Sequence, residues 1–287
     1  MTNRPTVLIT GGASGIGRAT VSTFLDRGWT VVAADLNAAA GDDLLEANRA
    51  SVDAGLLHVA RCDVSSEPDI EAAIALAVDS TGRLDCMVNN AGIGGAFGAV
   101  TELTVEDWDY TFAVLSRGVF LGVKHAARVM RPQGGGSIVN VASLAALTGD
   151  AGLQAYSAAK ASVLHMSRVF ATELGPDRIR VNTVCPGAIA TPLNPSTSRA
   201  FDGTPLAEMQ PLPYVGRPEH LATVIYFLGS ADSEFVTGQY LGVDGGLEAA
   251  GPRLGQYLGT DPRLVRARGV NEGNTGKPTV VHGRTAR

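Results

Sequence analysis

No stretch of the chain approaches the ~20 consecutive apolar residues that a membrane-spanning helix needs, so no span is expected. The first apolar run, Thr6 to Thr10, soon meets glycines, and no basic-then-apolar signal segment precedes it. The expected location is the cytoplasm. Cysteine is scarce. The three residues Cys62, Cys86 and Cys185 form an odd set with no zinc-ligand spacing, which argues against a disulfide framework and a metal site. Cys62 and Cys185 lie in strand-like runs and read as small buried apolar residues. Charged residues are only 18% of the chain against 45% hydrophobic, a balance that suits a globular enzyme and excludes a disordered chain.

The net charge of −5 is unevenly spread. Residues 251–287 hold seven Arg and Lys against Asp261 and Glu272, a local +5, which leaves −10 on the rest. An acidic body gives no reason to expect nucleic acid as the partner. The basic tail suits either contact with an acidic neighbouring subunit or a solvated extension.

The remaining sequence alternates apolar, β-rich runs with amphipathic stretches. Strands are expected at residues 7–9, 30–34, 57–62, 85–88, 137–141, 180–184 and 239–243. Helices are expected at 15–27, 68–80, 105–130 and 154–174. The strands are apolar throughout, as strands covered on both faces are. Their alternation with helices predicts an α/β, doubly wound parallel sheet of about seven strands with helices on both faces. One catalytic domain is expected over 1–250, followed by an extension over 251–287. The proline-rich part of 188–213 reads as a long loop over the strand ends, where such sheets bind ligands.

Chemistry first shows at Thr10-Gly11-Gly12-Ala13-Ser14-Gly15-Ile16-Gly17, directly after the first strand and opening the first helix. Glycines allow a tight turn and close approach of the backbone to a pyrophosphate, which the helix N-terminus attracts. Asp35 closes the second strand, where a carboxylate can accept hydrogen bonds from adenosine ribose hydroxyls. The same charge repels the 2′-phosphate of NADP, and neither Leu36 nor Ser14 offsets it. NAD is therefore the expected cofactor. Further along, Tyr156 and Lys160 stand four apart, on one face of a helix. An ammonium beside a phenol favours the ionised form and makes it a better base. Ser143 follows a strand, where its hydroxyl can hold a substrate oxygen.

These motifs, with Asn89-Asn90-Ala91-Gly92 and Cys185-Pro186-Gly187 followed by Thr191, resemble the short-chain dehydrogenase/reductase family from about Thr6 to Gly246. The resemblance implies a Rossmann fold and a hydride exchanged between a nicotinamide and a secondary alcohol or ketone. It implies that Tyr156 is the general acid/base, that Lys160 also bonds the nicotinamide ribose, and that Ser143 holds the reacting oxygen. Cofactor contacts carried over by motif are Gly11, Ser14, Gly15, Ile16 and Gly17, then Asp35 with Leu36, and Asp63 with Val64 near the adenine. Asn90, Ala91 and Gly92 line the cofactor; Pro186, Gly187, Ile189 and Thr191 bracket the nicotinamide. For the substrate the expected wall includes Ser143, Leu144, Ala145, Leu153 and Tyr156. It is mainly apolar and points to a hydrophobic or cyclic substrate. A homo-oligomer, commonly a tetramer, is implied as well.

One position departs from the family. In Val114-Leu115-Ser116-Arg117-Gly118-Val119-Phe120, Leu115 stands where many members carry an asparagine that helps hold a water near the lysine. Leucine cannot hydrogen-bond, so no fourth catalytic residue is assigned. Ser116 is a poor substitute, because adjacent helix positions point about 100° apart. Two other readings stay open: an epimerase or dehydratase on the same fold, and a nucleotide-binding protein without catalysis.

Overall fold

The structure is a computed structural model that describes residues 4–149, 153–193 and 210–251, with the main chain of 268–270 and 280–282. Most of the expected 188–213 loop and of the basic tail therefore lies outside the described residues. The chain divides into two compact units, Met1–Glu248 and Ala249–Arg287.

In the first unit seven parallel strands stand in the order β3-β2-β1-β4-β5-β6-β7. They are β1 Thr6–Thr10, β2 Thr30–Asp35, β3 Leu57–Arg61, β4 Cys86–Asn89, β5 Gly136–Val141, β6 Ile179–Pro186 and β7 Tyr240–Val243. The order reverses between β1 and β4, opening a crevice at the carboxyl ends. The helices are α1 Gly15–Leu25, α2 Ala38–Ala47, α3 Arg49–Asp53, α4 Glu67–Thr81, α5 Val105–Phe112, α6 Gly118–Gln133, α7 Gln154–Leu174 and α8 Pro218–Gly229.

Why the strands read as unbroken apolar runs is now visible. Leu8, Met87, Ile138 and Val181 enter a core shared with α4, α6 and α7. Their neighbours Val7, Ile9, Val88, Val139 and Val184 enter a second core with α1 and α8. A polar row crosses the first: the Asn89 amide donates to Asn140 Oδ1 at 2.8 Å, and the Asn140 amide donates to Ser167 Oγ at 2.9 Å. Buried amides paired in this way fix the strand ends rather than weaken them.

Two features differ from the sequence expectation. The predicted helix over 105–130 is interrupted at Ala113–Arg117 by a π-turn, which hydrophobic periodicity cannot register. In the second unit, Arg268–Val270 pairs antiparallel with Val280–His282. Three-residue strands are too short to show a period.

Candidate active site

A cavity of about 440 Å³ opens where β1 to β6 end. Each strand end delivers one part of it. The turn after β1 supplies Gly11, Ser14, Gly15 and Ile16; β2 supplies Asp35 and Leu36; the residues after β3 supply Asp63 and Val64. Asn90, Ala91 and Gly92 follow β4, and Pro186, Gly187, Ile189 and Thr191 come from the end of β6 and the turn beyond. Ser143, Leu153, Tyr156 and Lys160 complete the same lining. Among the sequence-predicted residues, Gly17, Leu144 and Ala145 stand outside it.

Gly17 has a packing reason instead. A Cβ there would lie 1.9 Å from the Gly11 carbonyl oxygen, so only glycine lets α1 sit against the turn. Asn90 binds the same place, its amide donating to the carbonyls of Thr10 (2.9 Å) and Gly11 (3.2 Å). Ala145 is buried in a short 3-10 turn, Leu144–Ala146, and its N–H donates to Ser143 Oγ at 3.1 Å. Ala145 thus orients the serine rather than the substrate.

The turn fits a dinucleotide. Ser14 caps α1 without a side-chain hydrogen bond, so first-turn N–H groups remain for an anion beside Gly15 and Ile16. Gly11 approaches Ala91 so closely that a Cβ would come within 2.8 Å of its Cα. Asp35 is held from both sides: the Ala13 N–H donates to Oδ2 and the Asn37 N–H to Oδ1, each at 3.0 Å. Every carboxylate oxygen keeps another lone pair for a ribose hydroxyl. Asp63 is more engaged, since Oδ1 accepts from both the N–H (2.9 Å) and hydroxyl (2.7 Å) of Ser65. Its own N–H donates to Asp69, which sequence reasoning missed. The signal was Ser66-Glu-Pro-Asp69, a serine with an acid three residues on at a helix start.

At the other end, Tyr156 shares a hydrogen bond with the Ser143 side chain. Lys160 is buried, and its ammonium donates to the Val141 carbonyl at 2.8 Å, 5.8 Å from the centre of the Tyr156 ring. Burial pushes the phenol above its ordinary value, while the Ser143 bond pulls it down and Cys185 adds a smaller upward push. The ammonium was expected to lower the phenol; desolvation is instead the largest influence on it and raises it. Burial also pushes Lys160 down, to about 8, with Cys185 opposing. Cys185 and Cys62 are buried as the sequence suggested, their thiols pushed up to about 11 and about 12, which makes both inert.

Leu115 lies in the π-turn with no exposure. Its Cδ2 and Lys160 Nζ stand 3.3 and 3.8 Å from the point a Gly92 Cβ would occupy, so carbon closes that side of the ammonium. Ser116 turns elsewhere and shares a 2.8 Å hydrogen bond with Ser162. The cavity also gathers Ile93, Tyr110 and Val114, which the motifs did not announce. Tyr110 and Val114 are four apart, on one helical face.

This fold and cleft define a nicotinamide-dependent oxidoreductase. A family model described as Enoyl-(Acyl carrier protein) reductase matches residues 11–248. The 3-oxoacyl-(acyl-carrier-protein) reductase of Thermotoga maritima is 40% identical over 243 residues, 84% of this chain and 96% of the relative. Cis-4-hydroxycyclohexanecarboxylate dehydrogenase of Sinomonas cyclohexanicum is also 40% identical, over 245 residues, 84% and 96% of the two chains. The crystal structure of levodione reductase superposes with a TM-score of 0.78 at 32% identity, covering 86% of this chain and 98% of that one. The chain belongs to the short-chain dehydrogenase/reductase family, whose members here are oxidoreductases acting on CH–OH groups.

Proposed function

We propose that the protein interconverts a secondary alcohol and a ketone with NAD(H), on a hydrophobic, cyclic substrate. The observation that carries the cofactor reading is Asp35, a carboxylate fixed in a cavity whose described lining contains Lys160 as its one cation, beside Tyr156 at the other end. A 2′-phosphate at Asp35 meets repulsion, and no arginine stands in the described lining of the cavity to offset it. The substrate reading is supported by the apolar lining at Ile93, Leu153 and Leu193, and by the cyclohexane ring in the name of one relative.

NAD held in this cavity would supply a hydride acceptor for the alcohol carbon. Ser143 holds the substrate oxygen. Tyr156 removes its proton in oxidation and returns it in reduction. Lys160 would bond the nicotinamide ribose, and Thr191 would hold its carboxamide. A cytoplasmic homo-oligomer, in tetrameric form, belongs to the same proposal. It is supported by partly exposed Trp108, Phe120 and Val169 on α5, α6 and α7, and by three free, buried cysteines.

The test is a panel of cyclic and open-chain alcohols with NAD and NADP, and ketones with NADH and NADPH, followed at the nicotinamide absorbance. Higher kcat/KM with the unphosphorylated cofactors is expected; the reverse order overturns the reading of Asp35. A single-turnover hydride transfer separates this reading from an epimerase or a protein without catalysis.

A further inference from the structure

Between β4 and α5, residues 90–104 run without helix or strand along one side of the cavity. Burial does not hold this segment in place, since Phe97 is 81% and Val100 73% exposed. Nor does the backbone stiffen it. Gly95 and Gly98 sit at φ +73° and +135°, and a side chain at Gly94 would meet nothing within 4 Å. Around Ala96 and Gly98 two hydrogen bonds from helices take over. The Ala96 N–H donates to the Thr111 hydroxyl on α5 at 2.9 Å, and the Gln154 amide on α7 donates to the Gly98 carbonyl at 3.1 Å.

The second bond links the two segments whose other residues line the cavity. Ile93 and Gly94 line the cavity from the loop side, while Leu153 and Tyr156, on either side of Gln154 in sequence, line it from α7. One exposed amide therefore joins the two segments that carry the walls. We propose that Gln154 is a positioning residue that sets the width of the substrate mouth by holding Gly98 to the first turn of α7, and thereby favours compact secondary alcohols over bulky ones. This rests on the alcohol-dehydrogenase reading above. A carboxylate at 154 cannot donate to the carbonyl and releases the loop as alanine does.

The experiment compares the full chain with Gln154→Ala and Gln154→Glu. Two readings are taken: amide hydrogen exchange across residues 95–100, and kcat/KM for cyclohexanol against a cyclohexanol bearing a bulky ring substituent. Both variants are expected to exchange about fivefold faster and to shift the ratio about fivefold toward the bulky alcohol, the change one ordinary hydrogen bond controls. Turnover of cyclohexanol should stay near the parent value. Unchanged exchange removes the tether; faster exchange with an unchanged ratio leaves a tether without selectivity, and either overturns the proposal. Should the parent protein oxidise no alcohol, the functional reading fails and takes the selectivity claim with it, while exchange still reports on the tether.

Discussion

The Lys160 ammonium donates to the main-chain carbonyl of Val141, the last residue of β5, at 2.8 Å. That bond ties α7 to the strand end that leads into Ser143, so the lysine holds together the elements carrying Tyr156 and Ser143. The titratable group acting on the ammonium is Cys185 on β6, and the centre of the Tyr156 ring on its own helix lies 5.8 Å away.

A buried cation with its pKa lowered from 10.5 to about 8 is a cost to folding. Below about pH 8 the lysine is charged in both states and the cost is complete. Between about 8 and 10.5 the folded state sheds its proton first, so stability rises with pH through that window. Lys160→Met is therefore expected to stabilise the fold at pH 7 by about 2 kcal/mol, roughly 3 from relieved desolvation less about 1 for the stranded Val141 carbonyl. Urea unfolding at pH 7 and pH 10 checks this. A gain of equal size at both would show that charge burial is not its source.

Tyr156→Phe keeps the ring and removes the proton carrier. Turnover is expected to fall by about 10²–10⁴-fold with cofactor affinity nearly unchanged. Stopped-flow absorbance and NADH fluorescence measure the two. Because burial raises the phenol, oxidation in the parent enzyme should climb toward alkaline pH and reduction should not. Undiminished turnover in the variant would sink the proposed acid/base role.

Asp35→Ser removes the repelling charge. The ratio of kcat/KM for NAD to that for NADP is expected to drop by at least about tenfold, a Coulomb term of ~1.4 kcal/mol. The loss of the Ala13 and Asn37 bonds should also weaken NAD itself. A ratio that does not move would assign cofactor choice to another residue.

Gly17→Ala forces a methyl into the Gly11 carbonyl. Overpacking against backbone costs about 1–3 kcal/mol, and the same shift displaces the phosphate turn. Thermal unfolding and NADH titration should both report the damage; damage to binding alone would contradict the packing role.

The doubly wound sheet was legible because its strands are apolar on both faces, and every expected strand appears with ends displaced by a residue or two. The site was legible where a motif fixes main-chain geometry, as at Gly11, Gly15, Asp35 and Tyr156. It was not where a residue reaches the cavity through tertiary packing alone. Tyr110, Val114 and Ile93 belong to no motif, and Leu144 and Ala145 were placed by neighbourhood in sequence, which a tight 3-10 turn redirects. Ser116 shows the same limit: its direction depends on the π-turn and on Ser162, forty-six residues away.

The π-turn at Ala113–Arg117 acts as a phase shifter in an otherwise continuous rod. A π-turn fits about one more residue into its turn than an α-turn does. The faces of α5 are thus rotated relative to those of α6. Tyr110 and Val114 address the cavity, while Gly118 abuts Val64 and Gly122 abuts Asn89. One helix thereby serves two surfaces, turning Tyr110 and Val114 to the cavity and Gly122 to the sheet at Asn89.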